Sequence, residues 1–478
     1  MNDAPNILFI LTDDQGPWAL GRETPELLTP TLDRLAAEGT YLERFFCASP
    51  VCSPARASLL TGRMPSAHGV HDWLRPEGVE TPGPQSAYID GLPTLPQALA
   101  AGGYHCGLAG KWHVGSSHEP AAGYEYWYPH RLGGSSYYDA PIWEFDEETG
   151  RTTAEPREAE EPRYFTDAVG DHGVDFLRRH AAEGEGRPFF LQLATTAPHA
   201  PWTNGNHPDE LVDLYADTDF PSVPAPAPHP WSNGRVVADP VEHRHRNLAG
   251  YAAAVTGIDR MLARVLAEAE EQGLLENTIV LFTSDNGFSC GHHGIWGKGN
   301  GTFPLNFWEN SIRVPFIAWG PGRIAAGRVS DHLVSATSVF ETVLELAGVT
   351  APPDPLRLGR SIAALLTPGE QPVEPLPSEI LVLDEYGGNR MLRTERWKYV
   401  SRHEGPEELY DLETDPEEEH DLSSDPAVAA VRDDLAARLR ERFARCGEPE
   451  LDGWELPVTG RGQNRPLGSE DRQGSFEQ

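Results

Sequence analysis

Cys52 opens the segment Cys52-Ser53-Pro54-Ala55-Arg56-Ala57-Ser58-Leu59-Leu60-Thr61-Gly62-Arg63. Pro54 suits the first turn of a helix, and Thr61-Gly62 supplies its stop. That places Cys52 near a helix N-terminus, where free N–H groups and the dipole favour an anion. Arg56 follows about one turn on and faces the same way. The chemistry is that of an anion-binding thiol beside an arginine. The plain alternative for such a residue is a buried structural cysteine in a helix-start turn.

More polar groups gather where four apolar segments end, at Asp13-Asp14, Gly110-Lys111-Trp112-His113, Pro198-His199-Ala200-Pro201 and Asp285-Asn286-Gly287. Taken singly, an Asp after a strand is most often a turn or helix cap, and a His a structural one. Four such ends with complementary chemistry form a constellation. Asp13, Asp14, Asp285 and Asn286 are hard oxygen donors that suit Ca2+ or Mg2+, and no Cys/His spacing for Zn2+ accompanies them. Lys298, in Gly294-Ile295-Trp296-Gly297-Lys298-Gly299, has glycine neighbours that favour a backbone-close anion contact.

These residues need a scaffold that brings strand ends together. Asn6 to Leu11 is a continuous apolar run, as in a strand buried on both faces. Thr29 to Gly39 predicts a helix with Thr29 as N-cap and Pro30 in the first position. Helices over Leu95–Ala101, Thr166–His180 and His245–Gln272 alternate with strands at Tyr104–Ala109, Phe189–Ala194 and Thr278–Thr283. That alternation predicts an α/β fold with a mostly parallel sheet, its site at the carboxyl ends of the strands. The Pro-rich stretch Ala351–Pro377 breaks the rhythm. Beyond it, Ile380–Leu383, Met391–Arg393 and Trp397–Val400 predict short antiparallel strands. Ala427–Arg445 predicts an amphipathic helix with Val428, Val431, Leu435 and Leu439 on one face. The expected organisation is a catalytic domain over 1–375, a smaller C-terminal part over 376–460 and a disordered tail over 461–478.

The pattern Cys-x-Pro-x-Arg followed by Leu60-Thr61-Gly62-Arg63 resembles the signature of the type I sulfatases, with Ala55 where that family usually has Ser. Glu408-Leu409-Tyr410-Asp411-Leu412 with Asp415-Pro416-Glu417 resembles the family's C-terminal signature, so the likeness runs from Asn6 to about Asp425. It implies an alkaline phosphatase-like three-layer sandwich and a sulfuric ester hydrolase. It further implies that a formylglycine-generating enzyme oxidises Cys52 to formylglycine. Asp13, Asp14, Asp285, Asn286 and the modified Cys52 would then hold Ca2+, with Mg2+ the other ion that the donors admit. In the implied reaction one hydroxyl of the formylglycine hydrate attacks sulfur. His199, with Lys298 near the same oxygen, protonates the departing alcohol, and His113 then takes a proton from the remaining hydroxyl as sulfate leaves. Arg56 holds the hydrate in position. An unmodified thiol lacks the second hydroxyl this cycle needs. His71, His293 and Trp296 are the implied substrate contacts at the pocket mouth. Each has its plain alternative, a loop histidine with local hydrogen bonds or a packed aromatic. His68, His292, Trp73 and Trp202 share that ambiguity.

Charge is consistent with this reading. Three carboxylates and one divalent cation leave about −1, and Arg56, Lys111 and Lys298 turn the pocket net positive, as a sulfate ester requires. Outside it, 38 Lys+Arg stand against 73 Asp+Glu, a formal −35, which disfavours nucleic acid and anionic membranes as partners. A hydrophobic content of 39% with 43 Pro and 47 Gly fits a loop-rich globular protein. Cys47, Cys52, Cys106, Cys290 and Cys446 form neither a disulfide framework nor a CxxC pair. Met1-Asn2-Asp3-Ala4-Pro5 leads straight into the first strand without a basic and apolar leader, so the expected compartment is the cytoplasm. The expected substrate is a small sulfated metabolite or carbohydrate, and a homo-oligomer is compatible with the chain. Asn300 to Asn306 departs from the Thr-x-Tyr-Glu connection common in arylsulfatases, which points away from a generic aryl ester. Two other functions share parts of this pattern. One is a phosphonate monoester or phosphodiester hydrolase with the same nucleophile and metal, and the other a catalytically silent binder of sulfated ligands.

Overall fold

The computed structural model describes residues 4–76, 88–138, 140–146, 151–153, 163–234, 243–369, 382–467 and 472–477. The N-terminal apolar run forms the strand Asn6–Asp13, buried along its whole length. It lies inside a nine-stranded sheet, hydrogen-bonded in parallel to Phe189–Pro198 on one side and Thr278–Ser284 on the other. Beyond Phe189–Pro198 come His105–Lys111 and Tyr126–His130, also parallel. Arg313–Trp319 runs antiparallel to both Thr278–Ser284 and Thr40–Phe46, with Arg328–Ser330 and Val334–Ser335 on the far edge. The sheet is mixed and mostly parallel. Thr40–Phe46, Tyr126–His130 and Arg313–Trp319 are strands that the sequence patterns did not single out.

Alternation along the central strand builds the layers. Leu8 and Ile10 pack under the helices Pro30–Glu38, Phe165–Glu183 and Arg244–Glu271. Ile7, Phe9 and Leu11 pack under Cys52–Thr61, Leu95–Ala101 and Val339–Leu346. Two helical layers enclose the sheet, which makes a three-layer sandwich. Thr29 does not cap its helix through the side chain as expected. Its hydroxyl accepts from the Gly21 N–H and donates to Asp33 instead, while Pro30 still opens the helix. The helix Cys52–Thr61 is buried at every position and ends on Gly62 at φ 70, a left-handed turn that favours glycine.

Val382–Tyr386, Asn389–Arg393, Trp397–Arg402 and Glu408–Asp411 form an antiparallel meander. One face takes the helix Ala429–Cys446 through Leu392, Tyr399, Leu409, Leu435, Leu439 and Phe443. The other, with Met391 and Val400, packs on Phe46, Cys47, Val51 and Phe307, so this small sheet backs the turn that leads into Cys52. The junction expected at 375–376 and the residues Ile380 and Leu381 lie outside the described residues. The expectation of a disordered tail over 461–478 is corrected: residues 461–467 and 472–477 are docked. Gln463 is fully buried and pairs with both Leu74 and Phe476. A polar, Gly-rich composition misled because one buried amide satisfies the surrounding backbone. Among the described residues no helix is long and apolar enough to cross a membrane.

Candidate active site

Strand register alone forces the candidate residues together. Thr12 pairs with Ser284 and Asp13 with Pro198, so Asp13-Asp14, Asp285-Asn286 and the turn to His199 leave adjacent strands at one edge. Lys111 ends the next strand and His113 follows it. Asp14 and His113 hold φ of 64 and 57. Such backbone costs about 1–3 kcal/mol in a non-glycine residue and persists where its surroundings over-determine it.

Three carboxylates and three cations pair one to one, all six buried. Lys111 Nζ donates to Asp13 Oδ2 at 2.5 Å, Arg56 Nε to Asp285 Oδ2 at 2.8 Å, and Lys298 Nζ to Asp14 Oδ1. Arg56 also donates Nη1 to the Lys111 carbonyl at 3.0 Å, tying the Cys52 helix to the lysine strand. Lys298 Nζ lies 3.0 Å from Cys52 Sγ and 3.5 Å from Asn286 Oδ1, so the ammonium sits among three of the expected metal ligands. Asn286 Nδ2 donates to Asp14 Oδ1 at 2.8 Å.

Burial raises the Asp13 carboxyl, but Lys111, His199 and Lys298 together hold the group below its ordinary range. Asp285 is pushed up by burial and by Asp13. Burial works against the Lys298 ammonium, yet Asp14 and Cys52 keep it well above the usual lysine value. Burial also pushes the Cys52 thiol up to about 11, against the pull of Lys111 and Lys298, so the encoded side chain is a neutral thiol at pH 7.

Asp13 Oδ1 is buried with no hydrogen-bond partner, and Asp13, Asp14 and Cys52 offer ligand atoms within 4.8 Å of one another. An orphaned carboxylate oxygen beside hard donors fits a divalent cation. In its absence the pairs cancel; with it the pocket is net positive.

The two histidines differ in what they leave open. His199 Nδ1 donates to the Ala200 carbonyl at 2.6 Å, while Nε2 stands 3.7 Å from Asp14 Oδ2 and the side chain is 30% exposed. His113 is buried and donates Nε2 to the Leu74 carbonyl at 2.9 Å, which leaves the Nδ1 lone pair without a partner. Burial, then Lys111, pushes His113 well below the ordinary histidine value, so it is neutral at pH 7.

The structure brings Cys52, Arg56, Lys111, His113, His199, Lys298, Asp13, Asp14, Asp285 and Asn286 together. It does not bring His71, His293 or Trp296 to them. His71 is fully buried, its Nε2 on the Leu451 carbonyl at 2.7 Å and its N–H on Gln463. Trp296 is packed against Trp202, ring centroids 6.0 Å apart, within the helix-covered core. His293 stacks on Trp308 at 4.6 Å and lines a cleft of about 1180 Å³ bounded by Trp231, Trp308 and Glu418. His68 bonds Ser58 at 3.0 Å and His292 lies against Trp18, both local contacts.

Three contributors escaped the sequence reading. Gly133 and Gly134 pass over both catalytic candidates: a Cβ on Gly133 would lie 2.2 Å from His113 Cε1, and one on Gly134 3.2 Å from His199 Cε1. Asn306 donates Nδ2 to the Lys298 carbonyl at 3.0 Å and fixes the lysine turn. A Gly-Gly pair beside strand residues was the available signal for the first two.

The family model described as Sulfatase matches residues 5–349, and one described as N-sulphoglucosamine sulphohydrolase, C-terminal, matches residues 299–445. The chain belongs to the sulfatase family and is a sulfuric ester hydrolase. It is 33% identical over 396 residues to the N-acetylgalactosamine-6-sulfatase of Canis lupus familiaris, covering 78% of this chain and 68% of that protein. A structure solved in complex with its substrate, D-glucosamine-2-N,6-O-disulfate, is similar with a TM-score of 0.77 at 22% identity, over 95% of this chain and 99% of the other. The phosphonate monoester hydrolase of Agrobacterium radiobacter is similar with a TM-score of 0.72 at 22% identity, over 92% and 96%.

Proposed function

We propose that the enzyme is a formylglycine-dependent sulfatase that removes sulfate from a small sulfated carbohydrate or metabolite with Ca2+ at its centre. The observation that supports this most is the convergence on Cys52: Lys298 at 3.0 Å, with Asp13 and Asp14 in the same ligand cluster. The carbohydrate class is supported by the sugar sulfatase relative and by the disulfated glucosamine of the similar structure.

Asp13, Asp14, Asp285, Asn286 and the modified Cys52 would hold the cation, which when bound would polarise a sulfate oxygen and acidify the nucleophile. Formylglycine, made from Cys52 by a formylglycine-generating enzyme, supplies a hydroxyl nucleophile and a second hydroxyl for release. The remaining chemistry belongs to this chain's own side chains. Arg56 clamps the nucleophile helix to Asp285 and to the lysine strand. Lys111 and Lys298 supply the positive charge that draws the sulfate in. His199, with Nδ1 committed to a carbonyl, carries a proton on Nε2 toward the leaving alcohol. His113, with Nε2 committed to Leu74, accepts a proton at Nδ1.

The likeness to a phosphonate monoester hydrolase sets the test. Rates are compared on a carbohydrate sulfate monoester, a phosphonate monoester and a phosphate diester. The expected order puts the sulfate ester first in kcat/KM; a reversed order overturns the reading.

A further inference from the structure

We infer that residues 462–467 and 472–477 form a strap that positions His113 through the Leu74 peptide. Trp73, Leu74 and Arg75 form one short extended stretch against it. The Trp73 carbonyl accepts from Gln463 N at 2.8 Å, and Arg75 N donates to the Gln463 carbonyl at 3.0 Å. In an extended chain successive residues direct their peptide groups to opposite sides, so the N–H and C=O of Leu74 itself point away from Gln463. That N–H donates to Ser53 Oγ at 3.0 Å, and that C=O takes His113 Nε2 at 2.9 Å. Ser53 is the residue after Cys52. One residue therefore ties the nucleophile turn to the buried imidazole, and Gln463 sets its register.

The strap is built to hold. Gln463 is fully buried, its Oε1 accepting from His71 N at 2.9 Å and its Nε2 donating to the Gly69 and Arg465 carbonyls at 3.0 and 3.1 Å. Gly462 N donates to buried Asp72 at 3.0 Å. Gly462 sits at φ 116, and a Cβ there would lie 2.5 Å from Arg75 Cγ, so the close approach requires glycine. Asn464 N reaches the Ser475 carbonyl at 2.8 Å and Glu477 N the Gly462 carbonyl at 3.0 Å, folding the end of the segment back on its start. Gln463 is thus a positioning residue for His113.

This inference rests on the proton-accepting role given to His113, and its test separates the two. Gln463→Ala is made in the full chain, beside a chain ending at Gly460 and beside Leu439→Ala, a core change in the C-terminal helix. Activity is read as kcat and KM on a carbohydrate sulfate monoester, and backbone order as amide exchange over residues 70–76 and 112–115. Gln463→Ala is expected to lose about tenfold or more in kcat, with KM within about twofold, and to exchange faster in both stretches. Leu439→Ala is expected to lower Tm with kcat within about twofold of wild type. Unchanged kcat in Gln463→Ala, or an equal kcat loss in Leu439→Ala at matched Tm, overturns the strap. A wild type inert on every sulfate ester defeats the proposed function, and unchanged exchange at 112–115 in Gln463→Ala then overturns the strap separately.

Discussion

Replacing Gly133 by alanine would place a methyl carbon 2.2 Å from His113 Cε1 and 2.5 Å from Nε2, where ordinary contact begins at 3.4 Å. The ring must retreat by about 1 Å, because its approach is set by packing. His113 cannot yield by a simple rotation: it is buried, its backbone is held at φ 57, and its Nε2 is bonded to the Leu74 carbonyl at 2.9 Å. A retreat of that size breaks the Leu74 bond and displaces Nδ1. Misplacing a reacting group by 1 Å costs roughly 100-fold in rate, or about 2.7 kcal/mol of barrier. Overpacking should cost about 1–3 kcal/mol of stability, so the variant is expected to remain folded. Gly134→Ala is the internal comparison, since its methyl would stand 3.2 Å from His199 and ask for only a small adjustment. The assay is kcat and KM on a sulfate monoester with thermal unfolding of both variants. A Gly133→Ala enzyme with wild-type kcat and an intact fold would refute the role given to His113 and its glycine cover.

Lys111→Met should destabilise the protein by about 3–5 kcal/mol, because it leaves the Asp13 carboxylate buried without its partner. Denaturant unfolding measures this, and adding Asp13→Asn should recover part of the loss. Chelation should abolish turnover and lower Tm. Restoring Ca2+ to 100 times its Kd should return about 2.7 kcal/mol of stability, and indifference of both readouts to chelator would count against the cation. Burial holds His130 neutral with its pKa pushed to about 4, and His207 and His292 to about 3. Their folded values lie below the unfolded value, so the stability from keeping them neutral is complete above pH 6.5 and drains as pH falls toward 4. Tm should therefore drop steeply over that interval, and His130→Gln should make the slope shallower.

The positions of these groups were legible in the sequence to different degrees, for physical reasons. The run Asn6 to Leu11 declared a strand buried on both faces, and the donors that end it and its neighbours fall at one sheet edge because parallel register leaves them nowhere else. Thr40–Phe46 was illegible: Glu43 and Arg44 interrupt its apolar pattern because this strand lies near the sheet edge, where they are not buried. His71 and Trp296 sit close in sequence to site residues, but local spacing does not say which way a side chain faces. That is decided by Leu451 and Gln463, hundreds of residues away, for one and by Trp202 for the other. The tail misled for the same reason. Its order comes from one glutamine amide and Phe476 meeting a distant turn, an arrangement that composition cannot register.

Turnover depends on the chemical state of one side chain, Cys52. Mass spectrometry of the peptide that contains Cys52, isolated from active enzyme made in its native host, tests this most directly. The expected result is an aldehyde in place of the thiol, in a fraction that tracks specific activity across preparations. Full activity from protein whose Cys52 is wholly unmodified thiol would contradict it.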